Sequence, residues 1–403
     1  MTDSIEMLSP LTIAEVTGNS HSWRDLCERN YIGGVWKFTR EGYGFDIYDP
    51  ADSTVIATVP LSTHRDIAEA EAAAVRALPI WNEYSSADRA HIVDTALEDL
   101  TNRIDEVAIV VSRDTGLPLP IARDDTLASI NAARLRLATE SGPNACVNGV
   151  IGQILSWSNP LQTCVETLCQ DLAAGDTVIV RPSIKAPLSP VFFADALDQA
   201  GAAGGVFNLV QGTGTDAGMA LTRQTGLKRL DFHGSRAAAA MVSLAPKRNG
   251  IPLHTHFRNI RTVDLEDADD LDATVEDLMT RCLCHGARPG FGGLVANVEA
   301  SLLPAFSDVM RSGFGACRYD DRSGTNHTVG PYIAEKYRNA AEALAESYQT
   351  NGAVQICQTQ SPDEKTYRMG WFGAARVIHD INHNILLNPD HPNGPLIVVR
   401  EIR

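Results

Sequence analysis

Two histidines one residue apart, His254 and His256, form the most chemically suggestive spacing in this sequence. They lie in the run Leu253-His254-Thr255-His256-Phe257, which reads as a strand, and residues two apart on a strand share one face. Imidazole titrates near neutrality and is the commonest general acid–base group. With His233 the pair could supply three metal ligands. No cysteine or acid pair completes a recognisable metal motif, so no metal is expected. One histidine alone is ordinarily a hydrogen-bonded core residue; it is the group that points to chemistry. Elsewhere Gly212, Gly214 and Gly218 mark a glycine turn. Gly234 and Ser235 open a helix, where free N–H groups can meet a phosphate.

These residues need elements to hold them. Residues 1–30 read as an N-terminal extension, and 31–60 as short strands and turns broken by Gly, Asp-Pro and Asp-Ser. Apolar spacing predicts helices over 63–84, 88–100 and 105–115, the last stopped by Gly116 and Pro118. From residue 148 strands and helices alternate. GVIGQILSW is a buried strand, a helix follows, and DTVIVRPS (176–183) is a second strand. A helix over 187–201 leads to the strand and turn of 205–218. LKRLDFHGS (227–235) is a strand running into an Ala-rich helix at 236–245. That rhythm is the signature of a doubly wound parallel sheet.

Length and charge bound the function. With 403 residues, 44% of them hydrophobic, two or more domains with real cores are expected. The net charge of −16 opposes phosphate backbones and anionic lipids, so neither nucleic acid nor membrane is an expected partner. A small-molecule ligand is expected, and another protein subunit is allowed. No apolar run is long enough to span a bilayer, and the opening MTDSIEMLSP lacks a secretory pattern. The eight cysteines show no disulfide-framework density. A cytoplasmic location is the expectation.

Several segments in order resemble the aldehyde dehydrogenase superfamily. YIGGVW resembles its INGEW strand, YDPADSTVIATVP its NPATGEVIATVP, and VSRDTGLP its ISRETGKP. ILSWSNPL resembles PWNFPL, and DLAAGDTVIVRPS resembles ALAAGNTVVLKPS, the most specific match. GVFNLVQGTG with FHGS, then DLEDADDLDATV, GPYI, NGA, GWFGAARVI and PNGPL, resemble the later landmarks. The resemblance implies an aldehyde-dehydrogenase-like α/β fold of two doubly wound parallel-sheet domains with the C-terminal segment truncated. It places a nucleotide-binding-like domain at 31–252, with an oligomerisation hairpin near 140–150, and a catalytic-type domain at 253–403.

Carried over residue by residue, the resemblance puts the wrong groups at the redox positions. Pro289 stands for the nucleophilic Cys, with Cys284 five residues upstream; His254 stands for the general-base Glu. His256 and Phe257 replace two glycines that let a nicotinamide approach the backbone. Ser158, next to Asn159, stands for the oxyanion Asn, a replacement that typically costs about 100-fold or more in rate. Arg181 keeps the cation of the adenine half, Ile184 replaces a ribose-binding acid, His233 replaces a Thr, and His391 replaces the Glu that holds the nicotinamide ribose. A vestigial nucleotide site at Arg181, Gly212, Gly234 and Ser235 is expected, with NAD binding lost or weak and no cofactor required. Three functions stay open. One is a repurposed enzyme with acid–base groups at His254, His256, His233, His391, Ser158 and Asn159. The others are a non-catalytic subunit, and a residual dehydrogenase using Cys284.

Overall fold

The computed structural model describes residues 9–10, 22–139, 149–257, 259–285, 291–319, 328–363, 370–388, 390 and 393–403. It divides into two compact units: residues 1–48, 55–114 and 123–256, and residues 49–54, 115–122 and 257–403. The region of the expected 140–150 hairpin lies almost wholly outside the described residues.

The first unit is built on a seven-stranded sheet: Asn30–Ile32 (β1), Val35–Lys37 (β2), Val150–Ile154 (β3), Thr177–Arg181 (β4), Phe207–Leu209 (β5), Leu227–Gly234 (β6) and Leu253–Phe257 (β7). Their order is β7-β6-β3-β4-β5-β1-β2. β3 runs parallel to β4 on one side and β6 on the other, and β5 is parallel to β4. The β1–β2 hairpin adds antiparallel strands at one margin. Every residue of β3 and β4 is buried. That explains why both read as near-continuous apolar runs and not as alternating ones. After β3 the chain builds outward to β5, then returns to the other side of β3 for β6. The reversal makes a topological switch point between β3 and β6, the place where open α/β sheets bind ligands.

The helices are His64–Glu83 (α1), Ser86–Asn102 (α2), Ile104–Thr115 (α3), Leu119–Thr139 (α4), Pro160–Ala174 (α5), Pro190–Gln199 (α6) and Arg236–Val242 (α7). The expected Ala-rich helix over 236–245 is in fact two pieces. α7 ends at Val242, and a separate turn spans Leu244–Asn249. Pro246 has no N–H for the carbonyl four residues back, so one continuous helix cannot form. α4 is an element that the sequence pattern did not announce.

α5 links β3 to β4 and is closed with care. Gly175 ends it at φ +110°, a left-handed conformation that glycine takes at low cost. Its last carbonyls would otherwise be orphaned. The Trp81 indole donates to Leu172 O at 2.8 Å. Arg89 donates from Nε to Ala173 O at 2.9 Å and from Nη2 to Ala174 O at 3.2 Å. Asn82 reaches Gly175 O at 2.9 Å.

The second unit holds a five-stranded sheet: Asn259–Leu265 (β8), Phe291–Glu299 (β9), Val354–Gln358 (β10), Arg376–His379 (β11) and Leu396–Ile402 (β12). The order is β8-β9-β12-β11-β10, parallel except for β10 against β11. Helices Leu271–Thr280 (α8) and Leu303–Ala316 (α9) cover it over a core that includes Leu278, Phe306, Phe314, Val377 and Ile397. Both units therefore carry mainly parallel sheets, the α/β class the sequence pattern implies. Among the described residues no helix is long and apolar enough to cross a membrane.

Arg89 is 8% exposed and donates to three carbonyls, that of Tyr84 included. Replacing it with a side chain that cannot donate strands those acceptors. Arg89→Met should cost about 2–4 kcal/mol in urea unfolding. A loss under about 0.5 kcal/mol, the scatter of an ordinary surface substitution, would refute this account of α5.

Candidate functional site

The switch point gathers most of the residues singled out above. β3 leaves the sheet at Ile154 and passes through Ser156, Trp157, Ser158 and Asn159 into α5. Ile154 pairs in register with Phe232, so the exit of β3 lies beside His233, Gly234 and Ser235. The Ser156 and Ser158 hydroxyl oxygens are 2.9 Å apart, and Ser158 is buried. Asn159 is the N-cap residue of α5, but its side chain does not cap the helix.

The vestigial nucleotide residues are occupied by their own surroundings. Arg181 ends β4, fully inside, and donates to Gly212 O from Nε at 3.2 Å and Nη2 at 2.8 Å. Burial pushes its guanidinium down to about 10. Gly212 has φ +140°, and a Cβ there would lie 2.8 Å from the Ala217 Cβ and 3.1 Å from Ser62 O. The turn it opens is capped by Thr213, whose Oγ1 accepts from Asp216 N at 3.0 Å and donates to the Asp216 carboxylate at 2.7 Å. A carboxylate thus stands at the head of the glycine turn. Gly234 abuts the Phe232 ring, which a Cβ would approach to 2.6 Å. Ser235 caps α7, its Oγ accepting from Ala238 N at 3.2 Å.

Three of the four histidines lie on β6 and β7, and two of them meet. The His233 and His256 rings stack 4.3 Å apart and 7° from parallel. Two residues earlier on each strand, His254 Nδ1 lies 3.4 Å from Asp231 Oδ1. The two pairings advance together, so β6 and β7 are parallel. The sequence argument that His254 and His256 share a face therefore holds. They do not join one cluster: each has its own partner on β6. His254 is 58% exposed, whereas Asp231 is 6% exposed. His233 Nε2 is buried with no partner among the described residues. Burial, and then His256 beside it, push His233 down to about 3. His391 and Pro289 lie outside the described residues, as does the side chain of Cys284. Among the described residues no group of three or more His, Cys, Asp or Glu is placed to hold a metal.

The sequence argument missed the residues beneath His254. Asp231 accepts from Arg229 Nε through both oxygens at 3.0 Å, and Arg229 Nη2 also reaches Asp171 of α5 at 2.6 Å. The signal was present: Arg229, Asp231 and His233 alternate with the apolar Leu230 and Phe232 along the strand.

A doubly wound parallel sheet with polar groups at its switch point is an α/β architecture of the Rossmann type. The chain belongs to the aldehyde dehydrogenase family, whose profile matches residues 36–403. It is 24% identical to the 3,6-anhydro-alpha-L-galactose dehydrogenase of Streptomyces coelicolor, over 92% of this chain and 78% of the relative. It is 25% identical to the alpha-ketoglutarate semialdehyde dehydrogenase of Haloferax volcanii, over 93% and 81%. Among solved structures, an aldehyde dehydrogenase from Bacillus cereus in complex with NAD+ superposes with a TM-score of 0.83 at 23% identity, covering 94% of this chain and 80% of that one. Lactaldehyde dehydrogenase from Escherichia coli gives 0.81 at 19% identity, over 93% and 81%. These two likenesses establish the fold. The relatives are named as dehydrogenases, which favours an oxidoreductase reading at the level of the family.

His233 supplies a pH test. Its folded-state value, about 3, lies below the 6.5 of a free imidazole. The fold therefore favours the neutral ring. That contribution is complete above about pH 6.5 and is lost as the pH falls toward the folded value. His233→Gln, which does not titrate, should lose less stability between about pH 7 and 4 than the unsubstituted chain. Urea midpoints at stepped pH measure it, and parallel curves would contradict it.

Proposed function

We propose that this chain is an aldehyde-dehydrogenase-family protein that performs acid–base, non-redox chemistry on a small carbonyl compound, with His254 as the working base. One observation carries the reading: beside the imidazole that the resemblance sets at the family's general-base position, a buried carboxylate, Asp231, lies 3.4 Å from Nδ1. A carboxylate behind one ring nitrogen leaves the other nitrogen to take a proton. The His233–His256 stack beside it offers a neutral aromatic face, because burial keeps His233 unprotonated at neutral pH. The Ser156–Ser158 hydroxyl pair at the β3 exit offers a donor for a carbonyl oxygen.

The family implies a nicotinamide dinucleotide, and the residues here do not fit one. Arg181 spends its Nε and Nη2 on the Gly212 carbonyl. Asp216 sets a negative charge at the head of the glycine turn, and the Ser235 hydroxyl is taken by its own helix. His256 and Phe257 add rings where the family uses glycine. No step is derived through the dinucleotide. With Pro289 in the place that the resemblance gives to the nucleophile, the proposed chemistry uses no thiolate step either.

A second reading is a residual oxidoreductase, and the relatives' names support it more directly than they support acid–base chemistry. The chain's own residues weigh the other way. One experiment separates the two. A panel of aldehydes and ketones is incubated with the protein in D2O, with and without NAD or NADP. Proton NMR follows exchange next to the carbonyl, and absorbance follows reduced nicotinamide. Acid–base chemistry gives cofactor-independent exchange that falls about 100- to 10,000-fold in His254→Ala, with little change in melting temperature. Reduced nicotinamide forming at an ordinary dehydrogenase rate would end the proposal, and Cys284→Ala would then show whether that thiol replaces the missing nucleophile. No exchange and no reduction would leave a non-catalytic subunit.

Calorimetry tests the dinucleotide separately. NAD should bind no better than about millimolar, near −4 kcal/mol. Micromolar affinity would contradict the mismatch at Arg181, Asp216 and His256.

A further inference from the structure

His254 is more than half exposed, and a free neutral imidazole in water favours the tautomer with hydrogen on Nε2. That tautomer puts a hydrogen where the proposed base needs a lone pair. Something must reverse the preference, and the residues under His254 are arranged to do so.

Asp171, Arg229 and Asp231 form a row in which the two acids are buried and the guanidinium between them is partly so. Their side chains are 6%, 13% and 6% exposed. Arg229 Nη2 lies 2.6 Å from Asp171 Oδ2 and 2.9 Å from Asp231 Oδ2, and Nε lies 3.0 Å from both Asp231 oxygens. A buried charge is tolerated when it is paired and hydrogen-bonded. Here two carboxylates share one guanidinium, so the ionised row carries one uncompensated negative charge. The best remedy is a further N–H directed at it. Gln153 is the neighbour of Asp231 in register on β3, but its amide nitrogen donates to Thr167 Oγ1. On the β7 side, His254 Nδ1 lies 3.4 Å from Asp231 Oδ1, close enough for a small ring rotation to bring its N–H onto the carboxylate.

We propose that Arg229 and Asp171 are positioning residues for His254. The row Asp171–Arg229–Asp231 runs from α5 across β6 to β7 and holds the imidazole with Nδ1–H toward Asp231 and the Nε2 lone pair outward. Each member has a part. Asp231 accepts the imidazole hydrogen, and Arg229 fixes the plane of that carboxylate through a two-oxygen contact. Asp171 draws part of the guanidinium charge away from Asp231, so Asp231 stays a strong acceptor for the ring. Burial pushes Asp171 up to about 6, against the pull of Arg229, which marks it as the strained end of the row. Asp171 also stands where the family segment quoted above begins with alanine, so the fold itself does not demand an acid there. The inference rests on the reading of His254 as a base, but its test uses no substrate.

The full chain is labelled with 15N-histidine, and long-range proton–nitrogen spectra read the tautomer of each ring near pH 8. The His254 signals are identified by their absence in His254→Gln. The expected result is a dominant Nδ1–H form in the unsubstituted protein and a switch to dominant Nε2–H in Arg229→Gln. Asp171→Asn keeps the guanidinium but frees it to neutralise Asp231. It should move His254 part of the way in the same direction, and it decides the matter alone if Arg229→Gln does not fold. An Nε2–H form in the unsubstituted protein, or a His254 tautomer indifferent to the variants that fold, would overturn the proposal. A row that only tied α5 to β6 would alter stability and leave the tautomer where it was. If the tautomer responds as expected while His254→Ala leaves deuterium exchange intact, the positioning row stands and the proposed function falls.

Discussion

The parallel pairing of β3 with β4 on one side and β6 on the other is the constraint on which the first unit depends. It puts Ile154 level with Arg181 and with Phe232. Three chain exits therefore open at one edge of the sheet, and polar residues can gather there without breaking the apolar run below. The strands are buried along their length, so each polar group inside them needs a partner: Thr177 at the start of β4 donates to Ala74 O, and Arg181 at its end donates to Gly212 O. Arg181 and His233 lie at the carboxyl ends of β4 and β6. α5 is placed by the same pairing: it must start at the β3 exit and finish where β4 begins, which is why its last carbonyls are gripped by Trp81, Asn82 and Arg89.

Charge follows the same geometry. Arg181 is a buried cation held by a backbone carbonyl, whereas Arg229 is a partly buried cation between two buried acids. The first closes a turn that the family fold uses for a nucleotide. The second stands between an acid of α5 and the acid of β6 that lies 3.4 Å from an exposed imidazole. Between them lies the difference in this chain: one polar site of the fold satisfied internally, another built toward solvent. A carboxylate and a histidine two strand positions deeper than a stacked histidine pair give that side of the sheet both an ionic and an aromatic component.

Much of this was legible in the residues. DTVIVRPS reads as a strand because burial on both faces leaves no alternation to misread. Gly116 and Pro118 stop α3 by backbone chemistry alone, and the chain of family-like segments gave the fold. α4 was not legible. It follows Pro118 and includes Pro120, so its start looks like a breaker, although proline is well tolerated in a first helical turn. Exposed Leu135 also blurs its apolar face. At the site, the shared face of His254 and His256 was legible from strand periodicity. Their partners were not, because which residue of β6 lies beside each histidine depends on the register of two strands that are distant in sequence. The inward turn of Arg181 was hidden likewise: it answers to the conformation of Gly212, 31 residues away.

β7 is also the outermost strand of its sheet, and outermost strands carry a hazard of their own. Their unpaired backbone groups invite a strand from another molecule, which is how soluble sheets begin to aggregate. β7 answers with His254, Thr255 and His256, all exposed, along its middle. Polar rings and a hydroxyl there make a poor template for sticky pairing. The residues read here as chemical equipment thus double as guards of solubility, and a change that made them apolar would risk aggregation before it revealed anything about catalysis.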